Sequence, residues 1–129
     1  LGLDRILQIK ETFTYPFIPY PEGENPTEFF FDFIGVTWDK KDPEIIRLYI
    51  KKSRLPYVLT KPIHHTQKDK ALEGQELKDW HEVTLKLIPN KEFYSQMLFF
   101  GEDLKIISPS SVRENMKKIV ENMHRNYQE

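Results

Sequence analysis

Residues 45–52 read IIRLYIKK, and this stretch decides the fold. Its side chains divide into two alternating sets, which is the pattern of a β-strand with one buried face. The inward set is Ile46, Leu48 and Ile50. The outward set is Ile45, Arg47, Tyr49 and Lys51. The stretch therefore predicts a strand with an apolar side toward a core and a mixed, partly basic side away from it.

A second strand of the same kind is predicted at residues 80–88. Its inward set is Val83, Leu85 and Leu87, and its outward set is Thr84, Lys86 and Ile88. Between the two strands, residues 53–61 favour a short helix with Pro56 in its first turn. Residues 64–70 are polar and favour an edge strand, and residues 72–79 favour a turn.

The second half of the chain contains two predicted helices and one strand. Asn90 can cap a helix that begins at Lys91, and Gly101 can end it. Residues 104–107 then favour a strand with Lys105 and Ile107 outward. We predict that Ser108 caps a last helix with Pro109 in its first position. The apolar side chains of this helix recur at helical spacing, at Val112, Met116, Ile119, Val120, Met123 and Tyr127.

Residues 44–107 thus follow the order strand, helix, strand, strand, helix, strand. Two split β-α-β units of this kind predict an α+β fold, the ferredoxin-like sandwich. We expect a four-stranded antiparallel sheet with two helices on one face, and residues 108–127 as an added C-terminal helix.

The N-terminal part has a different character. Residues 3–10 favour a short strand, and three closely spaced prolines in residues 15–23 favour a linker. Asn25 and Pro26 mark a helix start, with Phe29, Phe30, Phe33 and Ile34 as the apolar face and Gly35 as the stop. Because the sequence begins at Leu1 without a methionine, we expect it to be a piece of a longer polypeptide.

Composition excludes several classes of function. The 129 residues contain 19 Lys and Arg, 20 Asp and Glu and no cysteine, with a net charge of -1. A cysteine nucleophile, a disulfide framework and a thiolate metal site are therefore excluded. Overall charge does not favour a nucleic-acid or membrane partner, and no apolar run approaches the roughly 20 residues that span a bilayer.

Catalytic and metal-binding constellations are not evident. His64 and His65 are adjacent in a predicted strand and would point to opposite faces, so we predict no metal site and no cofactor. Several acidic residues lie in stretches of sequence that are typical of turns, which predicts that they are solvated in loops. They are Asp39, Asp42, Glu44, Glu102 and Asp103. Ser108 is explained by helix capping, and the phenylalanines of 29–33 favour packing onto a core over a ligand cage.

Several stretches together resemble the C-terminal part of WYL-domain transcriptional regulators. Leu3-Asp4-Arg5-Ile6 resembles the last strand of the Sm-like WYL barrel. The extension that follows the barrel is matched by Ile34-Gly35-Val36, Ile46-Arg47-Leu48, Lys61-Pro62-Ile63-His64, Leu98-Phe99-Phe100-Gly101, Ile106-Ile107-Ser108-Pro109 and Val112-Arg113-Glu114. The resemblance implies that residues 1–24 are the end of the barrel and a linker, and that residues 25–129 are the C-terminal extension.

The same resemblance implies a partner architecture and a class of function. An upstream WYL barrel and a winged helix-turn-helix would precede this chain in a bacterial, cytoplasmic regulator. The chain itself would then be a non-catalytic module for ligand sensing or dimerisation, with a nucleic-acid or nucleotide-like effector as one option. No Trp-Tyr-Leu tripeptide occurs here, so the resemblance carries no defined ligand residues over.

The outward sheet positions form the candidate contact surface. We expect Arg47, Tyr49, Lys51 and Lys86 to contact a ligand or a partner protein. The alternatives are ordinary solvated charge and a nucleic-acid-binding domain that uses the same sheet face, as RNA-recognition folds do, although the glycine–aromatic consensus of that module is missing. Nothing in the sequence supports an enzyme.

Overall fold

The computed structural model describes residues 3–19, 22–23, 25–38 and 40–128. Four helices and four strands follow in chain order. They are α1 (Pro26–Phe29), β1 (Glu44–Lys51), α2 (Leu55–Thr60), β2 (Lys68–Ala71), β3 (Trp80–Leu87), α3 (Lys91–Phe99), β4 (Leu104–Ser108) and α4 (Ser110–Asn126). Short 3-10 turns at Leu3–Arg5, Lys52–Arg54, Gln75–Leu77 and Gly101–Asp103 join some of them.

The four strands form one antiparallel sheet in the order β2-β3-β1-β4. This is the strand order of two interleaved β-α-β units, so the predicted ferredoxin-like fold is confirmed. The central pair is in register from Glu44 opposite Leu87 to Lys51 opposite Trp80. Strand β4 pairs with the other side of β1 and bulges opposite the Arg47–Leu48 step, where Ile107 is the extra residue.

One face of the sheet forms the core with helices α2 and α3. Its strand residues are fully buried as predicted, and they include Ile46, Leu48, Ile50, Val83, Leu85 and Leu87. Val58 of α2 and Phe93 and Met97 of α3 cover them. Helix α3 begins at its predicted cap, because the Asn90 side-chain oxygen accepts from the backbone N–H of Phe93 at 2.9 Å.

The segment before the sheet departs from the sequence prediction. The strand expected at residues 3–10 is not formed. Leu3–Arg5 is a 3-10 turn, and the side chain of Leu7 is wholly exposed. A strand needs a neighbour for its hydrogen bonds, and among the described residues none pairs with this stretch. Assignment of residues 1–24 to an upstream barrel stays a prediction, and Leu1, Gly2, Tyr20, Pro21 and Glu24 lie outside the described residues.

The predicted helix at residues 26–34 is only one turn long. Asn25 caps it by accepting from the N–H of Thr27, but it ends at Phe29. Beyond it, the backbone bonds to the body of the domain. The carbonyl of Asp32 accepts from Ile88 N at 2.6 Å, and the carbonyl of Ile34 accepts from the Asn90 amide at 2.7 Å. Asp32 and Ile34 are therefore held by hydrogen bonds to the segment before α3.

Three smaller predictions are also wrong. The edge strand is shorter than expected, so His64 and His65 precede it. Ser108 is the last residue of β4, and Pro109 takes the cap position before α4. Ile88 is buried at 3 % exposure rather than outward, because the chain turns after Leu87 and packs against the segment of Asp32.

Candidate ligand-binding surface

The side of the sheet away from α2 and α3 is the candidate surface, and we call it the open face. Residues directly opposite each other in an antiparallel pair share a face, so the strand register defines it. Its members are Ile45, Arg47, Tyr49 and Lys51 of β1, Lys68 and Lys70 of β2, Trp80, Glu82, Thr84 and Lys86 of β3, and Lys105 of β4. Six of these are cations and one is an acid, so the face is locally basic in a chain of net charge -1.

The four residues predicted as contacts all lie on the open face. Arg47 donates from Nη2 to Oε2 of Glu82 at 2.6 Å, across the central pair of strands. The hydrogen bond and charge of Glu82 raise the pKa of Arg47 above its ordinary value. The guanidinium is therefore fixed in place, and Glu82 offsets part of its charge.

Lys51 is held by a different partner at the far end of β1. Its Nζ lies 3.1 Å from Oδ1 of Asp103, and Arg54 donates to the other oxygen of that carboxylate at 3.0 Å. The hydrogen bond from Lys51, with that from Arg54, holds the pKa of Asp103 below its ordinary value. This ion-pair group joins β1 to the turn before β4, so Lys51 has a structural partner that the sequence did not reveal.

The rings of Tyr49 and Trp80 share one amine on the open face. The amine of Lys105 lies 4.3 Å from the centroid of the Trp80 ring and 5.6 Å from that of Tyr49. Both distances fall within the range of cation–π attraction. Trp80 was missed as a candidate, although counting back from the inward Val83 by alternation places it outward.

Lys86 is the least constrained of the four. Its side chain is exposed and makes no ion pair with any residue that the structure describes. Its backbone is fixed, since Thr66 Oγ1 accepts from Lys86 N and donates to Lys86 O, both at 2.9 Å. Lys86 therefore offers a free ammonium group from a rigid strand position.

The two adjacent histidines lie together beside the sheet. Their ring centroids are 4.2 Å apart, and His65 Nε2 donates to the carbonyl of Phe31 at 2.8 Å. The prediction that they point to opposite faces of a strand is wrong, because this stretch is a turn. In the described part of the chain no group of three or more His, Asp or Glu side chains could hold a metal ion.

The aromatic segment 29–38 is only partly packed. Phe33 is buried at 4 % exposure, whereas Phe29, Phe30 and Phe31 stay about half exposed. Phe29 packs edge-on against Phe33 and Trp38, with centroids 5.7 and 5.3 Å apart. One phenylalanine thus joins the core, and the others form a surface cluster. The acidic candidates Asp42, Glu44 and Glu102 lie outside this cluster, and Asp39 lies outside the described residues.

Comparison with known protein families identifies the domain. The family model of the WCX domain matches residues 42–124, which contain the whole sheet and most of α4. No curated protein gives a match. Among the described residues no helix is long and apolar enough to cross a membrane. The chain belongs to the WCX family, a C-terminal regulatory domain found in WYL-type transcriptional regulators.

Proposed function

We propose that this chain is a non-catalytic module that senses a ligand or mediates dimerisation in a bacterial WYL-type transcription factor, and that the open face makes the contact. The observation that carries the proposal is the cluster of Tyr49, Trp80 and Lys105 on a sheet face that α2 and α3 leave uncovered. An antiparallel sheet can expose one face to water, but a purely solvated face does not require two aromatic rings that share one amine.

The chemistry of the open face suits an anionic, partly flat ligand. Tyr49 and Trp80 offer ring surfaces, while Lys86, Lys68 and Lys70 offer ammonium groups. Arg47 is preorganised by Glu82, so little side-chain entropy is lost when it meets an anion. Ile45, which is 61 % exposed on the same face, adds apolar area that suits a protein partner.

The proposal includes the context of the chain. A WYL barrel and a winged helix-turn-helix of the same polypeptide would supply operator binding and place the protein in the cytoplasm. Helix α4 is poorly suited to read operator DNA, because its cations Arg113, Lys117, Lys118 and Arg125 are interspersed with Glu114 and Glu121.

A second candidate function is binding of single-stranded nucleic acid by the same face. The presence of the Tyr49 and Trp80 rings on one basic face favours it, because bases stack on aromatic side chains and phosphates bind cations. Fluorescence anisotropy with labelled oligothymidine, at roughly 50 and 200 mM salt, separates the two candidates. Binding that falls steeply with salt and is lost in Trp80→Ala supports the second function. Salt-independent or absent binding removes it.

The first candidate is tested in the full-length regulator. Arg47→Ala with Lys86→Ala removes two open-face cations, and Lys117→Ala with Lys118→Ala removes two cations of α4 as a charge-matched control. Native mass spectrometry follows retained ligand, sedimentation follows the dimer, and a reporter follows the effector response. We expect the open-face pair to weaken one of these by about tenfold or more. Wild-type values for all three in a folded open-face variant would show that the face is a bystander.

A further inference from the structure

Helix α4 carries an apolar stripe that extends beyond the part of the domain against which the helix packs. Val112, in the first turn, is buried at 1 % exposure, and Met116 is half buried against the core. Further along the same stripe, Val120 is 48 % exposed and Met123 is 43 % exposed. The helix therefore projects apolar side chains that α3 and β4 do not cover.

Met116, Val120 and Met123 form one wall of a groove, which we call the α4 groove. The opposite wall is made by Leu98 of α3 and by Leu104 and Ile106 of β4. The groove is open to solvent along one side, and its volume of about 570 Å³ is within the range of roughly 300–1,000 Å³ that small-molecule sites occupy. Gly101 borders the groove, and a side chain added there would meet no atom within 4 Å.

The polar groups around the groove are mainly basic. Arg113 and His124 on α4 line it, together with Lys105, whose amine is already drawn to the rings of the open face. Glu102 is the one carboxylate among the described lining residues. Arg113 makes no ion pair within the described chain, so its guanidinium can receive an anion in a fork-like geometry.

We propose that the α4 groove binds a small amphiphilic anion, with its carboxylate at Arg113 and its apolar chain along Met116, Val120 and Met123. An apolar wall with a single unpaired guanidinium is complementary to an acyl carboxylate in both shape and charge. The groove shares Lys105 with the open face, but Arg113 and the apolar walls lie outside that face, so the proposal stands whether or not the open face binds a ligand.

A second copy of the chain fits the groove less well. A two-fold axis would bring the Arg113 guanidinium groups of both copies into the same interface, which opposes like charges. The apolar stripe is also only about three helical turns long, so its surface area is small compared with the roughly 1,200 Å² that a stable interface buries.

The test is calorimetric titration of the 129-residue chain with dodecanoate, kept below its micelle concentration. The expected result is saturable binding with one site per chain. Arg113→Gln should weaken it by about tenfold or more, and so should Val120→Gln, which places a polar amide in the groove. Because Val120 is half exposed, that variant should keep its fold, which circular dichroism can check.

Two controls make the result specific. Lys118→Gln removes one cation from the opposite side of α4, because Lys118 lies two residues from both Met116 and Val120. This variant should leave dodecanoate binding unchanged. Dodecyltrimethylammonium, with the same chain and opposite charge, should bind at least about tenfold more weakly.

Three outcomes would overturn the proposal. The first is no saturable binding of dodecanoate to the unaltered chain. The second is equal weakening by Lys118→Gln and Arg113→Gln, which would mean that only overall charge matters. The third is a dimer, seen by sedimentation, that Val120→Gln dissociates and dodecanoate does not, which would make a second copy the occupant of the groove.

Discussion

The side-chain amide of Asn90 donates to the carbonyl of Ile34 at 2.7 Å, which joins the start of helix α3 to a segment 56 residues earlier. The same nitrogen donates to the carbonyl of Thr37 at 2.9 Å, while the amide oxygen accepts from Phe93 N. Asn90 is 1 % exposed, so water cannot replace these bonds. One buried side chain therefore caps a helix and fixes a loop.

Replacement of Asn90 by alanine should lower the free energy of unfolding by about 2–4 kcal/mol. The variant loses the cap of α3, and it leaves two carbonyl groups without their hydrogen-bond donor. Urea unfolding monitored by circular dichroism measures this loss. Asn25→Ala is the control, because Asn25 is exposed and caps a helix of one turn, and it should cost less than about 1 kcal/mol. Equal losses in the two variants would contradict the structural role of Asn90.

Gly35→Ala should also destabilise the domain, for two reasons. Gly35 has φ of +73°, which disfavours a side chain, and an added Cβ would lie 2.6 Å from Cγ of Glu92. Glu92 cannot swing away freely, because Thr37 donates to its carboxylate at 2.6 Å and lowers its pKa. We expect a loss of about 1–3 kcal/mol in urea unfolding.

Gly74→Ala separates strain from crowding at Gly35. Gly74 has φ of +107°, but nothing lies within 4 Å of an added Cβ, so only backbone strain remains. The double variant Gly35→Ala with Glu92→Ala should recover part of the loss at Gly35. A double variant as unstable as the sum of its two single variants would show that contact with Glu92 is not the cause.

The register of β1 predicts opposite effects for nearby apolar residues. Leu48 is fully buried, so Leu48→Ala should reduce the free energy of unfolding by about 2–5 kcal/mol. Ile45, three residues earlier, is 61 % exposed. Ile45→Ala should therefore change the free energy of unfolding by less than about 0.5 kcal/mol. Thermal or urea unfolding compares the two. A larger cost at Ile45 would mean that the sheet faces are assigned the wrong way round.

Stability should fall on mild acidification because of His64. Burial, together with the neighbouring His65, lowers the pKa of His64 in the folded chain. The unfolded chain takes up that proton at its ordinary pKa near 6.5, so acid favours unfolding. This loss of stability is absent well above pH 6.5. It grows as the pH falls through that value toward the lower pKa of His64 in the folded state.

Urea unfolding between about pH 7.5 and 5.5 tests this dependence, because the lowered pKa values of Glu92 and Asp103 act in a more acidic range. His64→Asn should flatten the slope of stability against pH. His124→Gln, which replaces an exposed histidine on α4, is the control variant. An unaltered slope in His64→Asn would assign the dependence to another group.

The sheet and the buried faces of its strands were predictable from sequence because alternation reports burial directly. The inward positions of β1 and β3 and the cap at Asn90 are local signals, and the structure confirms them. The departures arise from bonds between distant segments. The helix after Asn25 ends at Phe29, and the carbonyls of Asp32 and Ile34 bond to Ile88 and Asn90. The rings of His64 and His65 lie together, tilted to each other, in a turn that Thr66 joins to β3.

The candidate surface was predictable in outline but not in its pairing. Strand alternation places Arg47, Tyr49 and Lys86 on one face. It says nothing of the diagonal bond from Arg47 to Glu82 or of the link from Lys51 to Asp103, which depend on register between separate strands. Trp80 follows from the same alternation once the inward positions of β3 are fixed.

The strand order also bears on self-association. An outermost strand exposes unpaired N–H and C=O groups that can template growth of a sheet from chain to chain. Here β2, at one border, has four exposed residues, Lys68-Asp69-Lys70-Ala71, three of them charged. At the other border, α4 lies against β4. Like-charge repulsion on one side and a helical cover on the other therefore disfavour fibril growth, and replacing Lys68 and Lys70 by valine would be the shortest route to an aggregating variant.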